Sequence, residues 1–454
     1  MSTTDTAGGL GASRRFLVVL GLIVLAGFGL RVVYVLTVTN EEPTTRVYDA
    51  TYYELQARAI AEGHGYVDPF LLQAEGRSLP AADHPPLTVF AIVPAAFIGD
   101  ESTSRLAMRM TMVLFGTTTI ALIGLLTRRL TYRWAGDAAG IVAAGIAALD
   151  PNLWMNDGLV MSEALSVLIT VVLVALTYRV LRTGATWRTV LALGVVSGLG
   201  ILARAEFVLY VPFLVVPALW VGARSNRPRA VALSAAACAT ALLVLAPWLA
   251  FNLSRFERPT FLSTNDGLSL AGANCDFTFS GSHLAWVTVF EPCAAPRNDL
   301  EQSVWNQENR SKGLHYIADH LERVPAVALA RLGRTFTVYR VGQSAEFATG
   351  ETRPVWATWM GAVVVWILVP LSIVGGVVLR RRRQPIWPLV VPIVTTSAAI
   401  AFWAGGLLRY RAPTEPSFVI LGAVGIVAIA ASLRNGTHRV DGDEVDAELQ
   451  ATPA

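Results

Sequence analysis

Hydrophobic positions along the chain gather into long runs separated by short polar connections, and this pattern predicts a bundle of membrane-spanning helices. A crossing needs about 20 largely apolar residues. Such runs fall at 16–38, 106–127, 138–149, 159–178, 190–203, 207–221, 230–251, 355–379, 386–402 and 417–433. The expected fold class is therefore all-α transmembrane, about ten spanning helices with further juxtamembrane helices in the outer loops. Arginine placement orients the bundle. Arg14/Arg15, Arg128/Arg129/Arg133, Arg179/Arg182/Arg188, Arg224/Arg227/Arg229 and Arg380 to Arg383 occupy alternate connections. The positive-inside bias puts all of them, with both termini, in the cytoplasm. The first run lacks an A-x-A-like cleavage site and reads as a retained anchor. A shorter apolar piece at 85–98 holds Pro85, Pro86 and Pro94; counting it as a span would turn every later arginine cluster outward, so it reads as interfacial or re-entrant.

Two outer segments, 39–105 and 252–354, are too long to be simple connectors, and loops of that length are usually functional. In the first, Tyr48, Tyr52, Leu55 and Ala59 share one helical face, with Asp49, Tyr53, Gln56 and Ile60 on the neighbouring face. This predicts an amphipathic helix lying on the membrane surface, ended by Gly63 and Gly65. In the second, apolar residues over 324–339 interspersed with Arg331 and Arg334 predict another surface helix. The domain reading is one membrane domain, 1–434, and a polar acidic tail, 435–454, read as cytoplasmic disorder.

Composition supports a lipid environment: of 454 residues only 15% are charged, and mean hydropathy is +0.50, outside the range of a soluble domain. The net charge of +3 rests on arginine, Lys312 being the only lysine, a usage typical of a GC-rich, bacterial genome. Arginines cluster at the ends of apolar runs, where anchoring and orientation account for them, so the basic balance calls for no nucleic acid. Cys275 and Cys293 share one outer loop, where an oxidising compartment would allow a disulfide.

Candidate chemistry concentrates at the outer ends of the spans. Asp49 sits just past the first span, placed to take a proton from an incoming hydroxyl; a plain surface acid near a helix start is the bland alternative. Glu163 lies inside an apolar run, where ionisable groups usually face a cavity. His84, in Asp83-His84-Pro85-Pro86, is a potential hydrogen-bond donor to a phosphate or a neutral partner to a carboxylate. Arg204, Glu206, Arg409 and Arg411 lie on the side that the positive-inside bias should deplete of arginine, and an anionic ligand is a physical reason for the guanidinium groups there. Surface ion pairing and lipid headgroups are the competing explanations. Arg31, inside the first span, either snorkels or pairs with a buried acid.

Taken together, Asp49-Ala50-Thr51-Tyr52-Tyr53, Gly63-His64-Gly65-Tyr66, His84-Pro85-Pro86-Leu87, Met161-Ser162-Glu163-Ala164, Ala203-Arg204-Ala205-Glu206 and Arg409-Tyr410-Arg411-Ala412-Pro413 resemble polytopic glycosyltransferases of the C-type fold. The resemblance is to the branch of protein O-mannosyltransferases and the lipid A aminoarabinose transferase, and it covers residues 16 to about 433. It implies transfer of a sugar from a polyprenyl-phosphate donor to a glycan, lipid or protein acceptor on the non-cytoplasmic face of a multi-pass cell-membrane protein of the cell envelope. It also implies Asp49 as the first-loop catalytic acid and Glu163 as the acid of the second outer loop. His84, Arg204, Glu206, Arg409, Arg411 and Tyr53 are then the substrate-binding candidates. A divalent metal ion bridging carboxylate and phosphate, held by Asp49 and Glu163, is left open at this point. Protein O-mannosyltransferases carry two adjacent first-loop acids, whereas Asp49 is followed by Ala50, which weakens the case for a protein acceptor. The competing function is a polytopic transporter or lipid flippase for an anionic substrate, which would place ionisable groups near the midplane and show paired repeats.

Overall fold

In the computed structural model, residues 12–39, 49–297 and 300–450 are described, the last sixteen of them as backbone only. Among the described residues, seven helices are long and apolar enough to cross a membrane: Arg14–Thr39, Glu101–Thr131, Ser162–Thr183, Ala205–Gly222, Arg227–Arg255, Val355–Arg381 and Leu408–Arg434. Gly136–Leu149 and Pro151–Asp157 form a pair bent by 55°, and Trp187–Ala203 and Trp387–Phe402 are shorter apolar helices. Each of the ten hydrophobic runs thus coincides with one of these elements, and the protein is a multi-pass membrane protein. The short run at 85–98 is a ten-residue helix, Leu87–Ala96, too short to span. The last helix is Glu415–Gln450, so it continues past the 434 boundary; after Pro416 in its first turn no proline occurs before Pro453, and extending a formed helix adds one bond per residue without a new nucleation step.

Lipid offers little hydrophobic drive between spans, so close packing of small residues holds the bundle. The Val355–Arg381 and Glu415–Gln450 helices meet backbone to backbone: a side chain at Gly375 would run into the Leu421 carbonyl, and one at Gly425 into that of Leu371. The first span is held by charge. Arg31 is fully buried and donates to Asp157 at 2.6 Å, with further bonds to the carbonyls of Gly27, Ala147 and Ala148. Asp157 reaches this point because Gly116 has no side chain; a Cβ there would collide with the carboxylate. The choice posed for Arg31 therefore resolves to a buried pair. Removing one member of such a pair strands the other's charge at a cost of about 3–5 kcal/mol. Arg31→Met is accordingly expected to destabilise the protein by that amount, whereas Arg31→Met combined with Asp157→Leu recovers most of it, as read by thermal unfolding in detergent. An Arg31→Met protein that melts like the wild type would show the pair to be inert.

The outer loops depart from the surface-helix picture. Tyr48 lies outside the described residues, but Tyr52 and Tyr53 are both buried, and Gln56 is buried and donates to the Gly65 carbonyl at 3.1 Å. Both faces of Asp49–Ala61 are enclosed, because the Leu87–Ala96 helix and Phe70 pack on it. Likewise Arg331 and Arg334 of Val324–Thr335 turn inward: Arg331 donates to the carbonyls of Ala401 and Ala273, and Arg334 to those of Leu284 and to Gln343. Backbone carbonyls of the second loop need donors once that loop folds into a compact cap, and these arginines supply them. Gln302 ties the two loops together, accepting from Ala82 N at 2.8 Å and Thr264 Oγ1 at 2.7 Å and donating to Asp83 at 2.9 Å. Cys275 and Cys293 are joined in a disulfide within the same cap.

Candidate active site

A cavity of about 710 Å³ opens where the two outer loops meet the spans, lined by Asp49, Tyr53, His84, Ser162, Arg204, Glu206, Arg409 and Tyr410 among others. Its membrane-side wall is apolar, with Val208, Leu209, Ile400, Phe402 and Trp403. The volume suits a small-molecule or lipid-headgroup substrate.

Asp49 begins its helix, where the free N–H groups and the helix dipole favour a carboxylate. It accepts from Arg409 Nη2 at 2.6 Å, and its other oxygen lies 3.6 Å from His84 Nε2. His84 is stacked on Tyr53, with 5.1 Å between ring centres, so the imidazole is held against the carboxylate. Burial by itself would raise the Asp49 carboxyl, but Arg409 and then His84 outweigh it and hold the group well below the usual carboxylate range. Because the folded-state value is depressed, the Asp49 contacts stabilise the fold above about pH 4 and are lost only as pH falls through the lowered value. Burial and the neighbouring Asp68 push Asp83, beside His84, the other way.

Arg409 is the hub. Its Nη1 lies 3.3 Å from Glu163 and its Nε 2.8 Å from Glu351, in addition to the Asp49 contact. Arg204 donates to Glu163 at 3.1 Å and to Glu206 at 2.5 Å. The Tyr410 ring lies against both guanidinium groups, 5.2 Å from Arg409 and 5.7 Å from Arg204. Four carboxylates, Asp49, Glu163, Glu206 and Glu351, thus surround two arginines, with Arg353 on the far side of Glu351 at 3.3 Å.

The structure places two of the candidate residues away from the cavity wall. Glu163 has no exposed surface and stands behind the two arginines rather than in the cavity wall, while its Oε2 has no hydrogen-bond partner among the described residues. Its side chain contacts the two cations and not the cavity. Arg411 is also removed from the cavity: it is buried against Glu415 at 2.7 Å, the Thr335 carbonyl and Asn152. Arg409 and Arg411 both lie in the 3-10 helix Leu408–Thr414, where three residues make a turn, so positions two apart face different sides. Only the first of the two arginines reaches the cavity. Glu351 and Arg353 escaped the sequence reading because they lie in the long outer loop without local periodicity, and only tertiary folding brings them to Arg409.

The residues present do not fit a bridging metal. Among the described residues there is no group of three or more His, Cys, Asp and Glu side chains able to hold an ion, and Asp49 and Glu163, the two candidate ligands, are connected through the Arg409 guanidinium, which fills the bridging place.

Comparison with known proteins gives the fold its class. The family described as dolichyl-phosphate-mannose-protein mannosyltransferase matches residues 83–251. No individual curated protein sequence matches the chain. Among solved structures, the oligosaccharyltransferase AglB of Archaeoglobus fulgidus, in complex with an inhibitory peptide and a dolichol-phosphate, aligns at 15% identity and a TM-score of 0.51, covering 94% of this chain and 52% of that one. An oligosaccharyltransferase of Archaeoglobus fulgidus in complex with Zn and sulfate gives 15% identity and a TM-score of 0.54, over 91% of this chain and 49% of that one. ArnT from Cupriavidus metallidurans bound to undecaprenyl phosphate aligns at 16% identity over 91% of this chain and 78% of that one, with a TM-score of 0.43. The chain spans about half the length of the archaeal structures it matches. It has the C-type glycosyltransferase fold.

Proposed function

We propose that this protein is a bacterial cell-membrane glycosyltransferase that moves a sugar from a polyprenyl-phosphate donor to an acceptor hydroxyl on the non-cytoplasmic face, with both termini in the cytoplasm. The observation that carries this reading is the convergence, in one cavity beside an apolar wall, of a carboxylate, a histidine and two arginines on the arginine-poor side of the bundle. The dolichol-phosphate bound to AglB supports a donor of the same kind here. In the reaction the acceptor oxygen attacks the anomeric carbon as its proton passes to Asp49, the bond from that carbon to the phosphate oxygen breaks, and the electron pair leaves on the phosphate. Arg409 and Arg204 stabilise the charge that develops there, and the membrane-side wall takes the prenyl chain.

Arg409 is already covered by three carboxylates. A donor phosphate therefore has to displace Asp49 from it, and that exchange converts a carboxylate held as a weak base into a competent one. Arg204 contributes through its planar fork, so Arg204→Lys is expected to weaken apparent donor affinity about tenfold or more, since a charge-assisted bond contributes about 1.5–3 kcal/mol. An unchanged donor KM in that variant would remove Arg204 from the phosphate site.

The reading is tested with purified protein in vesicles supplied with polyprenyl-phosphate sugars. Transfer or release of the sugar supports it, and substrate counterflow without sugar transfer would replace it by transport. Orientation is tested in intact cells by labelling single cysteines placed at Arg227 and Ser311, both exposed. Labelling from outside at 311 alone is expected, and outside labelling at 227 would invert the topology.

A further inference from the structure

The cavity wall facing away from the membrane has a chemistry of its own, unused by the donor. Asp266, the first residue of the Asp266–Ala273 helix, holds Arg310 through Oδ2 at 2.7 Å from Nη2 and 2.9 Å from Nε, and accepts from Asn306 at 2.7 Å. Asp266, Arg310, Ser263, Ser269 and Phe261 all line the cavity. The ion pair is about one-third exposed, 40% for Arg310 and 31% for Asp266, and pairs so open to water add only about 0–1 kcal/mol to a fold. The Asp266–Arg310 contact by itself therefore adds little to stability. A carboxylate accepts at about four lone-pair positions and a guanidinium donates five N–H bonds, so the pair keeps hydrogen-bonding capacity of both kinds toward the cavity.

From this we infer that the outer wall is the acceptor subsite and that the acceptor is a neutral carbohydrate, a reading that rests on the transfer reaction proposed above. Three features select that class. The opposite charges of Asp266 and Arg310 cancel, so the wall draws neither an anionic nor a cationic acceptor, yet it offers both donors and acceptors, as a ring of hydroxyl groups requires. Ser263 and Ser269 add hydroxyls that serve in either sense. Phe261, 59% exposed, presents an apolar face beside these groups, matching the C–H face of a pyranose. A peptide acceptor fits less well: recognition by strand addition needs a sheet edge, and the described residues hold only an isolated bridge between Val67 and Pro80.

The experiment is saturation-transfer NMR on the full-length protein in detergent, with the methyl glycosides of glucose, mannose, galactose and arabinose as probes and a Ser/Thr-rich peptide as comparator. At least one glycoside is expected to show enhancement that falls fivefold or more in Asp266→Ala. Because Asp266 also holds Asn306, Arg310→Gln is measured in parallel: it removes the charge while keeping a planar amide, and it is expected to lose at least half of the signal with an unchanged melting temperature. Equal enhancement in wild type and both variants, enhancement of the peptide alone, or no enhancement of any glycoside overturns the subsite. Failure of the transfer reaction itself is read separately, from wild-type protein and donor in vesicles.

Discussion

Asp49→Asn is expected to lower sugar transfer by a factor of about 10²–10⁴, the range typical for losing a positioned general base, while the protein still inserts and binds donor. The substitution keeps the shape and the Arg409 and His84 neighbours but removes the proton-accepting charge. A surface acid in the same place would cost almost nothing on replacement. The pH profile gives an independent check. In the free protein Arg409 and His84 hold the Asp49 carboxyl well below its ordinary range. In the proposed complex, where the donor phosphate takes over Arg409, the carboxyl is expected to move up toward that range. The acid limb of kcat, which reports the substrate complex, is therefore expected at higher pH than the acid limb of kcat/KM for the donor, which reports the free protein. Coincident limbs would mean that Asp49 keeps Arg409 throughout the reaction.

Arg409→Gln is expected to abolish transfer and to destabilise the protein by about 3–5 kcal/mol, because one guanidinium serves Asp49, Glu163 and Glu351 at once. Among the described residues Glu163, fully buried, would keep Arg204 alone at ion-pair distance. Arg409→Lys separates the two effects. A lysine restores the charge but not the fork that reaches three carboxylates in different directions, so thermal stability should recover in large part while transfer stays at least about 10²-fold below wild type. A Lys variant with near wild-type transfer would show that Arg409 acts as a point charge alone and would undo the exchange of partners proposed for donor binding.

The bundle was legible in the sequence because lipid imposes a simple code: apolar length marks a span, and arginines mark one side. The ten runs coincide with ten elements of the structure for that reason, and the helix at 87–96 stays short because its prolines and length leave no crossing. Asp49, His84, Tyr53, Arg204, Glu206 and Arg409 were visible as polar groups at outer ends of spans, and the structure brings them to one cavity. What the sequence did not carry is direction. Arg409 and Arg411 look equivalent along the chain, and only the tight turn of Leu408–Thr414 shows that one faces the cavity and the other Glu415. Glu163 reads as a cavity residue by composition, yet two arginines stand between it and the cavity. Glu351, Asp266 and Arg310 come from a loop without periodicity, where position is set by contacts distant in sequence, such as Gln302 on Ala82 and Asp83. Tyr52 of Asp49–Ala61 reads along the chain as part of a membrane-facing stripe because burial under a second helix and burial in lipid leave the same apolar pattern.

The central step of the proposed function is consumption of a polyprenyl-phosphate sugar at Asp49. Mass spectrometry of lipid extracts from the source organism, with the gene deleted and then restored as wild type or as Asp49→Asn, tests this directly. Accumulation of one polyprenyl-phosphate sugar in the deletion strain, cleared by the wild-type gene and not by Asp49→Asn, is the predicted result. A polyprenyl-phosphate sugar pool that is unchanged by the deletion, or is cleared equally by Asp49→Asn, would contradict it.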